Sequence, residues 1–82
     1  MVRVIYSKEF EQDVKKVRDN ALKERLIKQV EKIIKNPDIG KPLRYNLKGE
    51  RSVYVTPYRL VYAVIDDKIY LLRFQHRVDV YE

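Results

Sequence analysis

Arg51–Val64 reads RSVYVTPYRLVYAV. Two runs of β-branched and aromatic residues flank Thr56-Pro57, which predicts two strands joined by a two-residue turn. With that turn, Val55 faces Tyr58 and Tyr54 faces Arg59. Val53, Val55, Leu60, Tyr62 and Val64 then share an apolar face, and Ser52, Tyr54, Arg59, Val61 and Ala63 share the other. Arg59 is a lone cation in the run Tyr58–Val64. A guanidinium stripped of water needs a partner. Either Arg59 pairs inside the fold, with Asp66, Asp79 or Glu82, or it faces an anion.

Downstream, Asp66-Asp67-Lys68 separates the strand Tyr58–Ile65 from another at Ile69–His76, and a short piece follows at Val78–Tyr81. A two-residue turn at Asp66-Asp67 puts Phe74 and His76 on the face of Arg59 and Arg73 on the other. A three-residue turn reverses this, because one slip of register flips every side chain. The expected outer face therefore carries Arg59, Tyr54 and His76.

Upstream, Lys48-Gly49 marks a turn, and NPDIGKP at 36–42 ends helix formation with two prolines and a glycine. Before it, VRVIY at Val2–Tyr6 predicts a short strand and Ser7 an N-cap. Phe10, Val14 and Val17 line one face of a helix from Lys8 to about Asp19. Asp19-Asn20 breaks that helix and caps a second, from Ala21 to about Lys35. Its broader apolar stripe is Leu22, Leu26, Ile27, Val30, Ile33 and Ile34. Glu24 with Lys28 and Glu31 with Lys35 stand four apart in the orientation that favours a solvated face. The predicted class is α+β in a single domain, 1–82: an N-terminal strand, an α-helical hairpin, then a three- to four-stranded antiparallel sheet.

Composition narrows the function. With 82 residues, 45% apolar and 37% charged, the chain folds around one modest core. The absence of cysteine excludes a disulfide framework, and a single histidine cannot complete a Cys/His zinc site. No apolar run reaches about 18 residues, so no membrane span is expected. The N-terminus turns polar too soon for a signal peptide, which predicts a cytoplasmic protein. The net charge of +6 invites a polyanion, nucleic acid above all. The early cations are mostly lysines interleaved with acids, which predicts a solvated helical half. From residue 44 onward arginine dominates, with Arg44, Arg51, Arg59, Arg73 and Arg77 against Lys48 and Lys68. Arginine offers a flat fork that fits phosphate.

Three pieces carry a resemblance: Pro42-Leu43-Arg44-Tyr45-Asn46-Leu47-Lys48-Gly49, then Tyr58–Asp67, then His76-Arg77 followed by Val80-Tyr81. In this order the chain resembles the RelE/ParE superfamily of toxins, and the first two pieces also resemble its YoeB branch. The resemblance implies a RelE-like fold and a single RelE-like toxin domain. It implies an acidic, RelB-like antitoxin that wraps the toxin. For RelE-like members it implies ribosome-dependent cleavage of messenger RNA in the A site, with no metal and no cofactor. It carries the family's strand arginine to Arg59, the arginine after its turn to Arg77 and its late tyrosine to Tyr81. The YoeB acid–base pair is not matched, since Lys41 stands at the Glu position and Arg77 at the His position.

Metal-free RNA cleavage needs removal of the 2′ proton, stabilisation of charge on the phosphorane-like transition state, and a proton for the leaving 5′ oxygen. Arg59 and Arg77 suit the second task. Tyr81 or His76 is the candidate for proton transfer, His76 because it titrates near neutrality. Arg44, Lys48, Arg51, Tyr54 and Arg73 are the candidate RNA-binding residues. Two other readings stand beside this one: a ParE-like toxin that binds gyrase without nuclease activity, and a basic RNA-binding module or degenerate toxin.

Overall fold

The computed structural model describes residues 2–42 and 49–77. The chain runs β1 (Arg3–Tyr6), α1 (Lys8–Lys15), α2 (Asn20–Lys35), a 3-10 turn (Pro37–Ile39), β2 (Lys41–Pro42), β3 (Glu50–Val55), β4 (Tyr58–Ile65) and β5 (Lys68–His76). The α+β class stands, but the sheet has five strands and is mixed, in the order β1-β5-β4-β3-β2. β1 joins it parallel to β5, Arg3 opposite Lys68. The expected strand at 78–81 lies outside the described residues.

Both helix starts are set locally. Ser7 Oγ accepts from Phe10 N at 2.9 Å, and Asp19 Oδ1 accepts from Ala21 N at 2.9 Å. Each cap satisfies a donor that the first helical turn leaves open. The first helix stops at Lys15, short of the expected Asp19. Phe10, Val17, Leu22, Leu26 and Ile33 pack on Val55, Leu60, Tyr62, Ile69, Leu71 and Phe74 of the sheet. The stripe on α2 is wider than the sheet it covers, so Ile27 stays 57% exposed and Ile34 is exposed with it.

The first hairpin has the expected register, with Val55 opposite Tyr58 and Tyr54 opposite Arg59. Thr56-Pro57 at its tip is cis. The second hairpin also turns in two residues, Ile65 opposite Lys68, with Asp66 at φ 56°. Aspartate tolerates that left-handed conformation better than most side chains. The parity expectation nevertheless fails further along. Tyr62 pairs with Leu71 and Val61 with Arg73, so Leu72 is an extra residue. Beyond this bulge every β5 residue changes face. Phe74 enters the core opposite Leu60, Gln75 stands opposite Arg59, and His76 stands opposite Tyr58. His76 is therefore not on the face of Arg59, and Arg73 is.

Tyr62 ties the sheet to the segment after the helices. It is fully buried, and its hydroxyl donates to Pro37 O at 2.7 Å and accepts from Gly40 N at 2.9 Å. Burial raises the pKa of this phenol above its ordinary value, the Gly40 hydrogen bond and the Arg51 charge opposing the rise. A Cβ on Gly40 would lie 2.5 Å from Tyr62 Oη, so only glycine lets the chain pass this close. Tyr62→Phe should cost about 1–3 kcal/mol, because a buried N–H loses its partner. Urea denaturation checks this, and Gly40→Ala should be at least as damaging; parent-like midpoints in both would contradict the tie.

Candidate functional site

On the side of the sheet away from the helices, Tyr54, Arg59 and Gln75 form one row across β3, β4 and β5. Arg59 Nη2 donates to Tyr54 Oη at 3.0 Å, and its guanidinium carbon lies 5.2 Å from the centre of the Tyr54 ring. A guanidinium over an aromatic face is held by the ring quadrupole as well as by the hydrogen bond. Tyr54 is 55% exposed, so the pair faces solvent at its outer side. Arg77 follows β5 two residues after Gln75. It is exposed, and its N–H donates to Pro57 O at 2.9 Å, which anchors it to the tip of the first hairpin. The row therefore offers charge and a flat ring, a combination suited to a phosphate and a neighbouring base.

The remaining candidates lie elsewhere. Arg51 is on the helix side of β3, opposite Tyr62. Its Nη1 donates to Gly40 O at 2.8 Å, and Nη2 lies 3.6 Å from Asp38 Oδ1. It braces the segment that Tyr62 also holds. Arg73 shares the register parity of Arg59, yet its guanidinium reaches Asp13 on α1. Nε donates to Oδ2 at 2.8 Å and Nη2 to Oδ1 at 3.2 Å. His76 sits edge-on to Tyr58 at 5.4 Å, beside a hollow lined by Lys16, Arg73 and Gln75. Tyr58 itself stacks on Phe74 at 4.7 Å. Arg44, Lys48 and Tyr81 lie outside the described residues. Among the described residues no three His, Cys, Asp or Glu side chains cluster as a metal site would require. No described helix is long and apolar enough to cross a membrane.

Sequence reasoning missed Gln75 and Asp13. Gln75 is brought beside Arg59 by the bulge alone. Asp13 sits in mid-helix, and nothing local marks it as the partner of a strand more than one hundred ångströms of chain away at about 3.3–3.6 Å per extended residue.

With this arrangement defined, its relatives can be compared. The sequence profile described as the ParE toxin of the type II toxin-antitoxin system parDE matches residues 4–81. The chain belongs to the ParE toxin family. Toxin RelG of Mycobacterium tuberculosis is 42% identical to this ParE-family chain over 45 residues, 52% of this chain and 52% of RelG. The chain thus matches about half the length of that curated relative. A chain of the intact RelBE toxin-antitoxin complex of E. coli superposes with a TM-score of 0.80 at 18% identity, covering 93% of this chain and 96% of that one. A chain of the RelBE2 toxin-antitoxin complex of Mycobacterium tuberculosis gives a TM-score of 0.76 at 28% identity, over 93% and 98% of the two chains. The ParE-family fold is thereby shown, with the N-terminal strand and two helices set against a mixed sheet.

The Asp13 contacts make a testable statement about acid. Burial acts to raise its carboxyl pKa, but the Arg73 hydrogen bonds, the Phe74 N–H and the Arg73 and Lys16 charges outweigh it, so the group titrates below its ordinary value. A depressed folded-state pKa stabilises above the unfolded value of about 3.9 and ceases to do so as pH falls through the folded value. Asp13→Asn should lower the urea midpoint at pH 7, and the gap to the parent should narrow as pH falls below the ordinary carboxylate value of about 3.9. A gap that stays constant over that range would remove the carboxylate from the account.

Proposed function

We propose that this chain is the toxin of a type II toxin-antitoxin pair and cleaves messenger RNA in the ribosomal A site. The observation that carries the reading is the solvent-facing pair of Arg59 and Tyr54, with Arg77 anchored at the end of the adjoining strand. Together they offer the charge and the ring that RNA strand scission requires.

In this mechanism the 2′ oxygen attacks the adjacent phosphorus in line. A bond forms from O2′ to phosphorus, the bond to the 5′ oxygen breaks, and a 2′,3′-cyclic phosphate is left. Arg59 and Arg77 stabilise the charge that gathers on the phosphoryl oxygens. Tyr54 stacks on a neighbouring base while its hydroxyl positions Arg59. Tyr81, to which the resemblance carries the family's late tyrosine, is the group in this reading that takes the 2′ proton and passes it to the leaving 5′ oxygen. His76 takes no part, because it stands with Tyr58 on the other side of the sheet. An acidic antitoxin segment would cover the arginine face and hold the toxin inactive. This agrees with the toxin-antitoxin complexes in which the RelBE relatives were solved.

The ParE description of the matching profile supports a second reading, a toxin that acts on gyrase and cuts no RNA. One experiment separates the two. Purified protein is incubated with programmed ribosomes, and mRNA ends are mapped. Cuts in the A site with cyclic phosphate ends are expected, and Arg59→Ala should slow them about 10²–10³-fold while the circular dichroism spectrum stays unchanged. Intact mRNA together with trapped gyrase–DNA complexes would establish the second reading instead.

A further inference from the structure

The flank of α2 next to β3 carries Arg25, Lys28 and Lys32 at spacings of three and four residues, so they lie in one stripe. Along the helix axis they are about 4.5 and 6 Å apart, comparable to successive phosphates of an extended strand. All three are exposed, and among the described residues none of their side chains makes a hydrogen bond or an ion pair. They line a groove whose other wall is Tyr54 and Val55 of β3. Gln29 closes the floor, its Nε2 donating to Tyr54 O at 3.3 Å.

We propose that this groove binds the phosphates of single-stranded RNA beside the Arg59 face, an assignment that rests on the nuclease reading above. Tyr54 joins the two regions. Its ring lies under the Arg59 guanidinium, while its backbone carbonyl faces α2 at the groove and accepts from Gln29. A strand whose base stacks on Tyr54 can leave one phosphate at Arg59 and run the next ones past Lys28, Lys32 or Arg25. The alternative occupant is an acidic peptide added as a strand to the edge of β3. That edge is already occupied: β2 pairs with Arg51 and Ser52, and Gln29 takes the Tyr54 carbonyl. Three unpaired cations with an exposed aromatic ring match RNA better than a β-strand.

The test uses the purified chain with Arg59→Ala, so that cleavage does not confound binding, and a short labelled single-stranded RNA read by fluorescence anisotropy. Adding R25Q, K28Q and K32Q together should weaken binding about tenfold or more at low salt. It should also reduce the slope of log affinity against log salt by about 2, at roughly 0.7 per lost phosphate contact. Tyr54→Leu should weaken RNA binding but not binding of poly-glutamate. Thermal unfolding of each variant verifies the fold. RNA affinity within about twofold of the parent, with the salt slope unchanged, would overturn the proposal. So would poly-glutamate binding that falls in step with RNA binding, which would identify an acidic-peptide site. RNA bound through these cations by a chain that cuts no mRNA on ribosomes would refute the nuclease reading and leave the groove standing.

Discussion

Asp13 holds the second half of β5 from the side. Its carboxylate accepts from the backbone of Phe74 at 2.9 Å and from two nitrogens of Arg73. At the N-terminus of the same helix, Ser7 N donates to Leu71 O and Ser7 Oγ to Leu72 O. These contacts grip β5 on both sides of the extra residue, Leu72. β1 ends at Tyr6, so among the described residues no strand lies beside the outer edge of β5 beyond Leu71. A buried N–H at that edge needs another acceptor, and Asp13 supplies one. The Arg73 guanidinium is drawn to the same carboxylate, which lifts its affinity for its proton still further. The bulge decides what stands beside Arg59, so the composition of the candidate site depends on a carboxylate in α1.

A second tie holds the opposite margin of the sheet. The Tyr62 hydroxyl and the Arg51 guanidinium converge on Pro37–Gly40, the segment where the chain leaves α2 for β2. An 82-residue domain buries a modest fraction of its surface, so such satisfied buried polar contacts weigh heavily in a small total. Both ties join residues far apart in sequence, and neither uses the Tyr54–Arg59 pair. The Tyr54–Arg59 pair on the outer face is thus built from contacts separate from both ties.

What the sequence discloses is what local rules govern. Ser7 and Asp19 are caps because a short polar side chain precedes a periodic apolar run. The first hairpin follows from Thr56-Pro57 between alternating residues, and with it the pairing of Tyr54 and Arg59. The bulge at Leu72 is not legible, because its causes are bonds from residues 60 to 65 positions away. The error it produced is specific: His76 and Arg73 exchanged faces. The parallel entry of β1 is hidden for the same reason. That Tyr54 borders one flank of α2 is not legible either, because a helical wheel does not reveal which strand packs beside the helix. The partners of Arg51 and Arg73 were equally hidden, because composition cannot tell a guanidinium aimed at solvent from one engaged by a neighbouring carboxylate or carbonyl.

The parallel pairing of β1 with β5 also bears on when activity can begin. Residues 3–6 have no strand to join until 68–71 have been synthesised. β4, which carries Arg59, likewise waits for β5 to cover its second edge. A nascent chain in which residues 68–76 have not yet been made therefore holds the arginine face only in fragments, and that face is completed only once β5 is in place.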